Sequence, residues 1–136
     1  MDAIKLEVIY SATNQIAYEL TQKLMHNGYS SIVKESQDLA LSICDSQGRN
    51  VGQYSPNPVG LGVVGAQLKG ILQDFTGAID EGDTFILNHP YHYCQNHPSD
   101  VTLISPMFYD GRLMAFVGNT AHKPDIGGKV PGTNAG

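Results

Sequence analysis

Cysteine is scarce in this 136-residue chain. Cys44 and Cys94 form neither a Cys-x-x-Cys pair nor a zinc-ribbon spacing, which excludes a disulfide framework and a zinc ribbon. Charge is sparse too: charged residues make up 15%, and 8 Lys and Arg against 13 Asp and Glu leave a formal charge of −5. With no basic cluster in the sequence, nucleic acid is not expected as a partner. No apolar run approaches the ~18 residues of a membrane span. The first residues, Met1 to Glu7, lack the basic stretch and apolar run of a secretory leader, so the expectation is a cytoplasmic protein with no membrane partner. There is no internal repeat, no low-complexity stretch, no phosphate-binding Gly-x-x-x-x-Gly-Lys-Ser/Thr loop and no Gly-x-Gly-x-x-Gly within a predicted strand-turn-helix, so any nucleotide should bind elsewhere.

What is present is a globular composition with a loop-rich bias: 41% hydrophobic residues, 15 glycines and 7 prolines. The length suits one domain, residues 1–136, whose fold would bury roughly two thirds of the unfolded surface. From Asp2 to His26 the apolar residues Ile4, Val8, Ile9, Ala12, Ile16, Ala17, Leu20 and Leu24 recur at helical spacing, and Asn27-Gly28 ends the pattern. Leu39 to Cys44 alternates with period 2, turns at Asp45-Ser46-Gln47-Gly48 and returns through Arg49 to Tyr54, a hairpin weakened on its second strand by Gly52. Ser55-Pro56-Asn57-Pro58 reads as a loop, Val63 to Phe75 as a second amphipathic helix, and Thr84 to Leu87 as a short strand. A second hairpin follows, Val101 to Phe108 and Leu113 to Val117 around Asp110-Gly111. The order helix, hairpin, helix, strand, hairpin predicts an α+β fold, a mainly antiparallel sheet with two helices covering one face.

The chemistry concentrates at the second hairpin. Pro98 disfavours helix at His97 and suits the second position of a turn, so His97-Pro98-Ser99-Asp100 holds His97 and Asp100 within about 7 Å. A two-residue loop at Asp110-Gly111 would set Asp100 opposite Ala121 and Ser99 opposite His122, bringing two imidazoles and a carboxylate to the hairpin's open end. Nitrogen and oxygen donors without thiolate suit manganese, zinc or iron(II), and three protein ligands leave positions for water or substrate. Spacing alone leaves a second reading open, in which His97 caps a turn, Asp100 bonds loop amides and His122 is a polar residue after a strand. Asn88 to His97 carries three of the five histidines and reads as an ordered functional loop. Within it Cys94 is open to two roles, a ligand or reactive thiol beside His97, or a small buried hydrophobe, the second favoured by residue type. The tail from Lys123 to Gly136 is glycine-rich and lacks a closing apolar element, so the chain reads as the first part of something larger or as a subunit completed by a partner.

In order along the chain, Leu6-Glu7-Val8-Ile9, Tyr29-Ser30, Lys34-Glu35, Cys44-Asp45-Ser46-Gln47-Gly48-Arg49, Pro58-Val59-Gly60-Leu61-Gly62, Gly82-Asp83-Thr84-Phe85-Ile86-Leu87-Asn88, the loop Asn88-His89-Pro90-Tyr91 and Asp125-Ile126-Gly127-Gly128 resemble the hydantoinase B/oxoprolinase family, whose members include a subunit of N-methylhydantoinase, half of 5-oxoprolinase and subunits of acetone and acetophenone carboxylases. The likeness implies that the chain is the N-terminal portion of a larger hydantoinase B-like fold. It implies a catalytic divalent metal on His97, Asp100 and His122, and a substrate loop comprising His89, Tyr91, His92, Tyr93 and Cys94. Asp125 would be either a catalytic-site carboxylate orienting His122 or a turn residue capping loop amides.

The implied activity is ATP-dependent hydrolysis of a cyclic amide, or carboxylation of a ketone. ATP would be held by a hydantoinase A-like partner subunit in a hetero-oligomer. The alternatives are a non-catalytic assembly piece that keeps the fold and a metallohydrolase needing no nucleotide. The chain departs from the family's pattern where His89 replaces an aspartate, Tyr93-Cys94 a glycine pair, Gly60 a histidine and Lys123 a second histidine, and where one residue is inserted before His97. Tyr93 and Cys94 would narrow the loop, as a planar substrate or a different partner surface would require.

Overall fold

The computed structural model describes residues 2–131; Met1 and residues 132–136, the end of the glycine-rich tail, lie outside the described residues. The elements are α1 (Ala3–Asn27), α2 (Ser31–Lys34), β1 (Leu39–Asp45), β2 (Asn50–Tyr54), a 3₁₀ turn (Pro58–Gly60), α3 (Val63–Asp74), β3 (Phe85–Leu87), β4 (Asp100–Tyr109) and β5 (Arg112–His122). The strands form one sheet in the order β2-β1-β5-β4-β3, and every neighbouring pair is antiparallel. The α+β class and the two hairpins are as the sequence predicts.

The placement of the helices is not. They cover opposite faces of the sheet, because β1 is buried on both sides and sorts its residues by size. Leu41 and Ile43 face α1 and pack with Ala17, Leu20, Tyr54 and Val117. Cys44 faces α3, in a core with Val64, Leu68, Ile71, Leu87, Ile104 and Phe116. Small residues let α3 approach closely: a Cβ at Gly118 would lie 2.7 Å from Val64 Cγ1. Burial, with the charge of Asp45, pushes the Cys44 thiol up to about 11. That thiol is a packing group with negligible thiolate at neutral pH.

Helix α1 begins where the Asp2 carboxylate accepts the Ile4 amide and ends where the Gly28 amide donates to the Leu24 carbonyl. Its 25 residues span about 37 Å, against about 23 Å for β1. Only its later turns rest on the sheet. Thr13 and Asn14 mark the last anchorage, the Thr13 hydroxyl donating to the Val51 carbonyl and Asn14 Oδ1 accepting from the Gln53 amide. These contacts occupy backbone groups of the edge strand β2. They also explain Gly52, where any Cβ would sit 2.8 Å from that of Thr13. The first turns extend past the sheet, so Ile4 (73% exposed), Val8 and Ile9 lie open although their spacing marks a buried stripe.

Candidate metal centre

The β4–β5 hairpin turns at Asp110 and Gly111, both with positive φ, as a two-residue type I′ loop requires. Near the loop the register is the expected one, with Tyr109 opposite Arg112 and Phe108 opposite Leu113. Beyond it Met107 pairs with Ala115, so Met114 is an extra residue on β5, and every later pair is shifted by one. Asp100 therefore lies opposite His122, not opposite Ala121. The shifted register has a chemical consequence. Without the bulge Asp100 and His122 would point to opposite faces of the sheet; with it they share the α3 face. The adjoining ladder bond, from the Lys123 amide to the Ser99 carbonyl, makes Asp100 and His122 a non-hydrogen-bonded pair, the kind whose side chains come closest.

His97 reaches the same point through its turn, closed by the Asp100 amide donating to the His97 carbonyl at 3.0 Å. His122 Nδ1 is 3.0 Å from Asp100 Oδ1, and His97 Nδ1 is 3.6 Å from the same oxygen. The two imidazoles meet edge to face with centroids 5.0 Å apart. One ligand atom from each of the three residues lies within 4.8 Å of the other two. Ligands held at about 2.1 Å by a tetrahedral ion stand about 3.4 Å apart, so the donor set is compact enough to share one cation.

Two further features fit that occupant. The buried His97 Nδ1 has no hydrogen-bond partner among the described residues, and an unpaired buried ring nitrogen is a cost that a metal bond removes. Asp100, its side chain 8% exposed, has a carboxyl raised above its usual range by burial; the charges of His97 and His122 and the hydrogen bond to His122 oppose the rise without cancelling it. A buried carboxylate between two imidazoles gains most from a positive ion.

Sequence reasoning missed Asp38. Its Oδ2 is 3.8 Å from His122 Nδ1, its carbonyl accepts the His122 amide at 3.1 Å, and it lines a small cleft with Asp100, His122, Val59 and Gly60. The signal was the pairing of Leu39 with Ala121, which places Asp38 beside His122. That pairing depends on strand order, which no local pattern reveals.

The proposed substrate loop turns largely to α3. His92 Nε2 is 2.8 Å from Asp74 Oδ2, the Tyr93 hydroxyl donates to the same oxygen at 2.9 Å, and the Tyr93 ring lies over Gly70. His89 Nδ1 accepts the His92 amide. Tyr91 projects outward, 91% exposed. Cys94 is exposed rather than a buried hydrophobe, and its backbone is left-handed (φ 54). Asp125 does not join the triad's hydrogen bonds; its carboxylate accepts the Gly127 amide at 2.8 Å. Among the described residues, no helix is long and apolar enough to cross a membrane.

Comparison with known proteins bears on the family and the fold. The chain is 33% identical to a putative D-/L-hydantoinase subunit of Pseudomonas sp., over 98% of its own length and 23% of that protein's. Its fold superposes on acetone carboxylase with a TM-score of 0.87 at 22% identity, covering 96% of this chain and 17% of that one. On an ATP-dependent caprolactamase of Pseudomonas jessenii the TM-score is 0.72 at 28% identity, covering 96% and 22%. The chain thus spans between about a tenth and a quarter of the length of the curated relatives it matches. Since the Hydantoinase B/oxoprolinase profile matches residues 2–135, the chain belongs to that family.

Proposed function

We propose that this chain is the metal-bearing part of an ATP-dependent cyclic-amide hydrolase, one domain at the N-terminal end of the longer architecture of its relatives. A nucleotide-binding subunit of the hydantoinase A kind would be its partner. The observation that carries the reading is the cluster His97, Asp100 and His122 with its unpaired buried Nδ1. The substrate class is supported by two relatives whose names denote cyclic amides, a hydantoinase subunit and a caprolactamase described as ATP-dependent. Carboxylation of a ketone has weaker support, since the likeness to acetone carboxylase at 22% identity speaks to fold.

A cyclic amide resists attack by water because nitrogen donates into its carbonyl, and phosphorylation of the oxygen by a partner relieves that resistance. His97, Asp100 and His122 would hold manganese, zinc or iron(II). When bound, such an ion supplies Lewis acidity and lowers the pKa of water. Asp38, partly exposed at the cleft, is placed to accept a proton at Oδ2. His89 and Tyr91 would belong to the substrate loop, as the family resemblance implies, while Asp125 shapes the chain after His122 through the Gly127 amide. The experiment is metal analysis of the purified protein and of His97→Ala, followed by ATP turnover with the partner and a cyclic amide. Stoichiometric metal lost in His97→Ala, and ATP turnover needing both partner and substrate, are expected. Wild type without bound metal overturns the metal assignment, and full turnover by this chain without ATP overturns the division of labour.

A further inference from the structure

Behind the triad lies a buried polar group that the proposed chemistry does not use. Gln95 is 4% exposed, and Gln67, Thr102 and Thr120 are buried with it. Gln95 Nε2 faces three oxygens: the Asp100 carbonyl at 2.8 Å, Thr102 Oγ1 at 3.0 Å and Thr120 Oγ1 at 3.3 Å. The reverse orientation of the amide would set two carbonyl oxygens against each other at 2.8 Å, so the chemistry fixes which end is nitrogen. Gln95 Oε1 turns the other way and accepts from Gln67 Nε2 on α3 and from the Asn96 amide, both at 3.3 Å. One side chain thus joins the loop before His97, both strands of the ligand-bearing hairpin and the covering helix.

The position of the Asp100 carbonyl explains the arrangement. Strand β3 ends at Leu87, opposite Thr102, and the same register continued would set His89 opposite Asp100. The loop leaves the sheet first. The Gln95 amide takes up the carbonyl there, while the Asp100 amide is already bound to the His97 carbonyl. Both backbone groups of Asp100 are thereby fixed, and with them the direction of its carboxylate.

We propose that Gln95 is a positioning residue for the metal centre: by holding the Asp100 backbone from behind, it sets the ligand geometry and ties it to α3 through Gln67. This rests on the metal reading above. Partners that orient a ligand typically change metal affinity about 10- to 100-fold when removed. Glutamate retains the acceptor oxygens and can receive the Thr102 and Thr120 hydroxyls, but an ionised carboxylate cannot donate to the Asp100 carbonyl. Methionine fills similar volume with neither function.

The test compares manganese dissociation constants and the visible spectra of cobalt(II)-loaded protein for wild type, Gln95→Glu, Gln95→Met and Leu68→Ala, with folded fraction measured for each. Leu68→Ala, in the core on α3, controls for lost stability alone. Manganese binding weakened about 10- to 100-fold in both Gln95 variants, with altered cobalt spectra, is expected, while Leu68→Ala keeps the wild-type constant and spectrum. Folded Gln95 variants that bind like wild type overturn this inference and leave the metal reading intact, and so does a loss of affinity in Leu68→Ala equal to theirs. Wild type that binds neither ion overturns both.

Discussion

The two faces of the sheet differ in completeness. On the α3 face the core from Cys44 to Phe116 is closed, and the same face carries Asp100, His122 and the buried amide of Gln95. On the opposite face α1 meets only β1, β2 and part of β5, while Ile86 and Leu103 on the far strands lie exposed, as do the helix's own first turns. Dense packing is concentrated on the face that carries the proposed ligands. The α1 face stabilises the fold at its middle and leaves apolar surface at both ends.

The comparison breaks most easily at Phe116. Phe116→Ala should cost about 3–5 kcal/mol in chemical denaturation; a cost near that of a surface change would mean that the α3 face is not the denser one. On the α1 face, Gly52→Ala pushes a Cβ into Thr13. A loss of about 1–3 kcal/mol is expected, and Thr13→Ser, which keeps the Cβ and backbone atoms at that contact, should recover none of it.

A smaller effect is expected at the β1–β2 turn, which rests on α3 because a Cβ at Gly48 would lie 3.2 Å from Leu68 Cβ. Burial works to raise the Asp45 carboxyl, but the amides of Arg49 and Gln47 and the Arg49 side chain outweigh it and hold it below the usual range. Since the folded value is depressed, the stability it contributes is present above the unfolded value of about 3.9 and is lost as pH falls through the folded value. The stability difference between wild type and Asp45→Asn, followed by urea denaturation from pH 7 downward, should therefore shrink below about pH 4; a constant difference would remove the turn from the account. Smallest of all, Ile4→Ser with Val8→Ser should change stability by no more than about 0.5 kcal/mol, and a larger loss in the isolated chain would show that the first turns of α1 are covered after all.

Much of this architecture was legible in the sequence. The spacing from Ile4 to Leu24 located α1, Asp110-Gly111 located the second hairpin, and His97, Asp100 and His122 were named from the turn and the return strand. What escaped depends on neighbours distant in the chain. Periodicity marks an apolar stripe without saying what lies against it, so the spacing does not show that the first turns of α1 run past the sheet. Nothing local places β1 between β2 and β5, and without that pairing Asp38 has no reason to stand beside His122. Gln95 reads as one more polar loop residue until β3 is seen to stop short of Asp100. The bulge at Met114 is equally silent, since Leu113 to Val117 fits an unbroken strand as well as an interrupted one.

That bulge makes the proposed ion-binding set a matter of counting. Drawing Met114 into regular pairing would alter no donor atom, yet it would slip the later pairs by one, turning His122 toward the α1 side and leaving Asp100 facing the methyl group of Ala121. Insertions or deletions in the β4–β5 ribbon that preserve every ligand can therefore abolish the site, so its presence in any variant must be judged by residue spacing as well as residue identity.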